Sequence, residues 1–134
     1  MSRFEDDGHC FVCGPNNPGG LAIQFREPAT GPDVEAEVLF PDHLQGWQGT
    51  VHGGLLATVL DEAMCKAASA RGLKCVTAEI TVKYRNPAAT GVRYQLEGTV
   101  RDIHSRMVTA ESSIQDGSGR IHAQAIGKLF ITKD

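Results

Sequence analysis

The feature that most constrains this chain is a single long helical stripe with no second helix to pack against. Between Leu55 and Ala68, apolar residues fall at 55, 56, 59, 60, 63, 64, 67 and 68. That is the i, i+1, i+4, i+5 rhythm of a helix with one wide apolar face. The spacing predicts a helix from about Gly53 to Arg71, roughly five turns long, with Gly72 as its C-terminal stop. A face that wide must be covered, and the rest of the chain alternates with period two. The cover is therefore a sheet.

Two strand patterns precede the helix. Leu21–Arg26 sets Leu21, Ile23 and Phe25 against Ala22, Gln24 and Arg26. Val34, Ala36, Val38 and Phe40 alternate with Glu35, Glu37 and Leu39. Four more follow the helix. Cys75–Asn86 alternates Val76, Ala78, Ile80, Val82 and Tyr84 and ends at Pro87; then come Tyr94–His104, Met107–Gln115 and Ile121–Thr132. The expected order is β-β-α-β-β-β-β: an α+β domain in which a six-stranded antiparallel sheet wraps one long central helix. Residues 1–134 suit a single domain. Within it, 1–19 reads as an irregular N-terminal segment rich in turn formers. A sheet around one helix leaves exposed strand edges, and pairing two copies edge to edge would cover them. At least a homodimer is expected.

Composition excludes several partner classes. Hydrophobic residues make up 41% and charged residues 22%, and the net charge is −3. With no basic excess to neutralise phosphates, nucleic-acid binding is not expected. No apolar run reaches the ~18 residues of a membrane span. The opening MSRFEDDGHC is polar and acidic, unlike a signal peptide, so the expected location is the cytoplasm. Cys10-Phe-Val-Cys13 has metal-ligand spacing but is half of a zinc site, with no second CxxC. His9 and His52 would supplement it only if the fold brought them near. The site residues are therefore read with no metal among them.

The chemistry concentrates at TVHGGLLATVLDEAM, Thr50–Met64. The first amides of a helix lack intrahelical partners, and the macrodipole is positive there. Gly53 and Gly54 carry no Cβ, so a ligand can approach those amides closely. A carbonyl bound there would have its developing oxyanion stabilised. Asp61 and Glu62 border opposite flanks of the apolar stripe. Asp61 stands two turns from Gly53, about 12 Å away at ~1.5 Å per residue. One small reacting group cannot touch both, so a site using both needs two subunits. The alternative is plain: a tight turn into a helix, with Glu62 and Lys66 forming an i, i+4 pair on its surface.

The same residues resemble a known family. GTVHGGLLATVLDEAM (Gly49–Met64), VTAEITVKYRNPA (Val76–Ala88) and the spacing between them are similar to hotdog-fold acyl-CoA thioesterases, in particular the branch of the phenylacetate-pathway thioesterases. CFVCGPNNPGGL (Cys10–Leu21) is similar to the opening of a subgroup of that branch. The resemblance implies a hotdog fold and a dimer with a continuous sheet, often paired into a tetramer. It implies acyl-CoA hydrolysis in sites shared between subunits. By position, Asp61 would be the general base or nucleophile, Gly53 the oxyanion amide, and His52 a substrate-orienting group. Thr77 would help to position the water. Relatives often carry Asn six residues before the motif His; that position is Gly46 here, and Gln48, ahead of Gln45, is expected to substitute. Lys83, Arg85 and Arg106 are candidates to meet the CoA phosphates, with Gly54 allowing close approach. No cofactor is implied, since CoA belongs to the substrate. Competing readings are a hotdog dehydratase or hydratase, a non-catalytic acyl-CoA binding module, and a zinc-dependent interaction module built on Cys10 and Cys13.

Overall fold

A computed structural model describes residues 4–132. The first three residues of the irregular segment expected over 1–19, and the last two of the expected domain, lie outside the described residues.

Helix α1 spans Gly53–Ala70. Leu56, Val59, Leu60, Ala63, Met64, Ala67 and Ala68 are its buried positions, all on the predicted stripe. Beyond it, Gly72 adopts φ +79° and Leu73 N–H donates to Ala68 O at 3.0 Å, so the helix ends through a left-handed residue. Arg71 anchors that end, with two guanidinium nitrogens 3.1–3.2 Å from Asp33.

Among the described residues five strands form one antiparallel sheet: β1 (Val34–Leu39), β2 (Cys75–Tyr84), β3 (Arg93–His104), β4 (Met107–Gln115) and β5 (Ile121–Ile131), in the order β1-β3-β4-β5-β2. The expected class holds, with five strands rather than six. Leu21–Arg26, expected as the first strand, makes a single bridge, between Arg26 and Glu35. Its backbone is committed elsewhere: Leu21 N–H donates to Phe11 O and Ile23 N–H to Val12 O. Ala22 takes φ +51°, which breaks the pleat that the alternation requires. The segment straps the N-terminal loop to the body and buries Ile23.

The helix lies directly on the sheet. A Cβ at Gly98 on β3 would stand 2.3 Å from Ala63 O, and one at Gly127 on β5 would stand 2.8 Å from Met64 Cε. Gly98 needs glycine for close approach to the helix backbone, not for backbone freedom, and Gly127 makes room for the end of the Met64 side chain. Between them, on β4, buried Ser112 donates its hydroxyl to Leu60 O at 2.8 Å. Phe40, Leu60, Leu96, Ile114 and Leu129 fill the space around the contact.

The two edges of the sheet differ. β1 is partly covered by the Arg26–Glu35 bridge. β2 pairs only with β5, and seven of its ten residues are exposed, Val76 and Tyr84 among them.

Candidate active site

Asp61 projects from α1 toward β2, where Thr77 Oγ1 donates to Asp61 Oδ1 at 2.6 Å. Strict alternation along β2 would have turned Thr77 to the other face, with Glu79 and Thr81. A β-bulge between Thr77 and Glu79 prevents this. Thr77 lies opposite Leu129 and Ile80 opposite Gly127, so both face the helix. Cys65, one turn beyond Asp61, sets its Sγ 3.4 Å from Thr77 Oγ1. Burial, with the Asp61 charge adding to it, pushes the Cys65 thiol up to about 11 despite the Thr77 hydrogen bond. This thiol is a packing neighbour of the carboxylate and is poorly suited to act as a nucleophile.

The second group of candidates gathers at the helix start. His52 is the N-cap, in extended conformation (φ −60°, ψ 130°), and its Nδ1 accepts from Gly54 N–H at 3.0 Å. That bond assigns the ring proton to Nε2, on a side chain that is exposed. It also occupies the Gly54 amide, so Gly54 offers close approach rather than a donor. The Gly53 N–H donates to no protein acceptor among the described residues. Tyr84, at the far end of β2, donates its hydroxyl to Gly53 O at 2.8 Å and lays its ring 3.5–3.6 Å from where a Gly53 Cβ would be. Tyr84 thus pins the helix start to the edge strand. The sequence pattern turns it toward the helix but gives no sign of this bond.

The loop ahead of His52 decides what stands beside that amide. Gly46 lies against His52, 3.3 Å from its Cα measured from an ideal Cβ. Gln45 spends its side-chain oxygen on Gly49 N–H at 3.0 Å, so its amide carbonyl is taken. Gln48 is exposed in the adjoining turn, as is Trp47, at 86% exposure.

Within one chain, then, Asp61 and Thr77 form one group, and His52, Gly53, Gly54 and Gln48 another. Lys83 and Arg85 stand at the Tyr84 end of β2, where Arg85 Nε donates to Gln124 at 3.4 Å. Arg106 stands at the opposite end, donating to Ile131 O at 2.8 Å. The three cations do not converge in a single copy. A cavity of about 780 Å³ is on the other flank of the helix, between Ile23, Phe25, Lys66 and Ala70, and excludes Asp61.

Glu62 faces that other flank. Cys10 Sγ donates to Glu62 Oε2 at 3.3 Å, so the N-terminal loop covers this carboxylate. Lys66 lines the same pocket as the Cys13 thiol, which burial and Glu62 push up to about 12. The simple Glu62–Lys66 surface pair does not form.

His122 is a structural pin. It is buried, with Nδ1 3.0 Å from Pro87 O and Nε2 3.0 Å from Asp116 Oδ2, and its ring meets Tyr94 edge-on at 4.9 Å.

Comparison with known proteins adds a family. Residues 48–123 match the family model described as the thioesterase superfamily. Among curated proteins, acyl-coenzyme A thioesterase THEM4 of Rattus norvegicus is 31% identical over 93 residues, 69% of this chain and 40% of the relative. The Xenopus laevis protein of the same name is 31% identical over 90 residues, 66% of this chain and 40% of the relative. This chain thus spans about two fifths of the length of the curated relatives it matches. Among solved structures, a thioesterase superfamily protein is 26% identical with a TM-score of 0.86, covering 93% of this chain and 61% of that one. The Escherichia coli PaaI protein from the phenylacetic acid degradation operon is 20% identical with a TM-score of 0.74, covering 82% and 83%. A hypothetical thioesterase of Streptococcus pneumoniae, solved with coenzyme A, is 19% identical with a TM-score of 0.75, covering 82% and 88%.

Proposed function

Since the chain belongs to the thioesterase superfamily, we propose that it hydrolyses an acyl-CoA thioester to free acid and CoA, in sites that two copies build together. The observation that carries this reading is the Asp61–Thr77 pair on an open strand edge, with the donor amide of Gly53 held at the far end of the same strand.

Thr77 and Tyr84 are seven residues apart, roughly 20 Å along a strand at ~3.3 Å per residue. One copy cannot close that distance. Antiparallel pairing of two β2 edges does, because it lays the Thr77 end of one strand beside the Tyr84 end of the other. Asp61 would then face the partner's Gly53, twice per dimer. The same pairing would bring Arg106 toward the partner's Lys83 and the partner's Arg85, giving the CoA phosphates one basic mouth. It would also cover the exposed edge that β2 leaves open. A tetramer would arise by pairing two such dimers.

In this reading Thr77 holds Asp61 Oδ1 and leaves Oδ2 to take a proton from water. The water oxygen attacks the thioester carbon, and the carbonyl electrons move onto oxygen, where the Gly53 N–H and the helix dipole stabilise them. Collapse of the intermediate breaks the C–S bond. The CoA sulfur leaves and recovers the proton from Asp61. His52, with Nε2–H outward, orients the acyl group, and Gln48 supplies a second contact in place of the absent Asn. No metal or cofactor takes part. The chain's four cysteines are free, which suits the reducing cytoplasm. Among the described residues no helix is long and apolar enough to cross a membrane.

The relatives support the reading in their own right. The Streptococcus pneumoniae protein has been solved with coenzyme A, and a Streptococcus mutans protein of the same fold with acetyl-CoA. The pneumococcal protein has also been solved with an aspartate replaced by alanine and, separately, with a threonine sixteen positions later replaced by alanine. Asp61 and Thr77 are likewise sixteen positions apart.

The test is thiol release across short, medium, long-chain and aryl acyl-CoAs, with wild type and Asp61→Asn side by side and light scattering of both. Turnover by a wild-type dimer that disappears in a dimeric variant supports the proposal and ranks the substrates. A monomer at micromolar concentration overturns the shared site. A folded dimer with no turnover on any substrate overturns hydrolysis and leaves the binding module or the hydratase, with the missing Asn at Gly46 as the reason.

A further inference from the structure

We propose that Cys10, Cys13 and Glu62 form a zinc site that staples the N-terminal loop to helix α1, independently of the thioesterase reading. The half-site legible in the sequence acquires its third donor from an unexpected place. His52 caps the helix ten residues before Glu62, about 15 Å away at ~1.5 Å per residue. His9 Nδ1 lies 3.0 Å from Asp7 O, and its ring is not part of the cluster. Glu62 completes the group instead: one donor atom from each of Cys10, Cys13 and Glu62 lies within 4.8 Å of the other two.

The spacing suits a tetrahedral ion. With Zn–S ≈ 2.3 Å and Zn–O ≈ 2.0–2.2 Å, tetrahedral edges are about 3.8 Å for S···S and about 3.5 Å for S···O. The Cys10 Sγ to Glu62 Oε2 distance is already 3.3 Å. Two thiolates favour zinc over calcium or magnesium, which take oxygen ligands. Among the described residues no fourth His, Cys, Asp or Glu joins the group, so water would take the fourth position.

The loop is shaped to bring both sulfurs to one point. Gly14 N–H donates to Cys10 O at 2.9 Å and closes a turn around the two cysteines. Val12 N–H points at Cys10 Sγ, 3.4 Å away, a bond that stabilises a sulfur anion. A Cβ at Gly14 would stand 2.3 Å from Cys10 N, so this turn admits only glycine there. Leu21 and Ile23 brace the loop from behind through Phe11 O and Val12 O. Lys66, which lines the same pocket as Cys13 and Glu62, adds a positive charge beside the two sulfurs. The ion would fix the loop beside Glu62, next in the chain to Asp61.

The experiment is titration of the reduced chain with Co(II), then displacement by Zn(II) against a chromogenic chelator. The expected result is one ion per chain, with a thiolate-to-cobalt charge-transfer band and tetrahedral visible bands. Cys10→Ser/Cys13→Ser should lose the charge-transfer band. Glu62→Gln, which spares both thiols, should keep that band while zinc affinity falls at least tenfold. Added zinc should raise the thermal midpoint of wild type more than that of either variant. Absence of the charge-transfer band in folded, reduced wild type overturns the site whatever the variants do. Equal zinc uptake by the double variant overturns it as well, and unchanged affinity in Glu62→Gln overturns the helix ligand.

Discussion

Asp61 and Glu62 are neighbours in the chain and look out from opposite flanks of helix α1. Asp61 meets an edge strand, accepts one short hydrogen bond from Thr77, and lies beside the face that a second copy would cover. Glu62 meets the chain's own N-terminal loop and two thiols. On the two proposals the same functional group serves two chemistries. A carboxylate oriented by one hydroxyl at an open edge can take a proton from water. A carboxylate enclosed by soft donors can hold a soft cation. What separates them is the sharing of the helix between a flank left for another molecule and a flank closed by this one.

Breaking the first flank should have the largest effect. Asp61→Asn is expected to lower kcat by about 10²–10⁴ while Co(II) uptake at Cys10 and Cys13 stays at one per chain. Full activity in that variant, by thiol release, would remove Asp61 from the chemistry.

Gly53→Pro probes the other half of the same site. Proline is tolerated at the first helical position, and His52 before it already has the extended backbone that a following proline requires. The substitution deletes one N–H and should lower kcat by about 10²–10³ with the helix intact by circular dichroism. Co-expressed with Asp61→Asn, it should regain activity, since a mixed dimer keeps one complete site. No recovery from a verified mixed dimer would place both groups in one chain.

Thr77→Val is expected to cost about tenfold in kcat, the scale of one hydrogen bond to a charged group, and Thr77→Ser to restore it. A Val variant as active as wild type would mean that packing alone positions Asp61.

The frame shared by both flanks is tested at Gly98, where an added Cβ would press on Ala63 O. Gly98→Ala should destabilise by about 1–3 kcal/mol in urea unfolding.

A control outside both flanks is Asp116. The His122 ring and the Ser118 hydroxyl hold its carboxyl well below the usual carboxylate range. A lowered folded value means that its contribution to stability is present above about pH 3.9, the ordinary Asp value, and is lost as pH falls toward the folded value. The stability gap between wild type and Asp116→Asn should therefore be widest near neutrality and narrow below about pH 4. A gap independent of pH would show that the pairing carries no linkage.

Much of this architecture is legible in the order of residues. The helix limits differ from the predicted ones by a residue, and β4 falls where alternation puts it, because hydrophobic periodicity and glycine stops act within a few residues of each other. The HGG turn and the two carboxylates on the helix flanks are visible in the same way, whereas Thr77 enters only through the resemblance to the family. Leu21–Arg26 shows where local pattern fails: its alternation is genuine, yet its backbone partners are Phe11 and Val12, residues that no period-two rule can choose.

By itself, then, the sequence determined that one amphipathic helix would be wrapped by antiparallel strands, that its first turn would present glycine amides, and that two carboxylates would flank its stripe. Each of these depends on neighbours in the chain. The tertiary structure alone decided which way each carboxylate faces and what it meets. The bulge at Thr77 turns a hydroxyl to Asp61, and the strapped N-terminal loop turns two thiols to Glu62. Both depend on strand register and on contacts between residues 16 to 52 positions apart, where pairing is set by competition for a common core rather than by local preference.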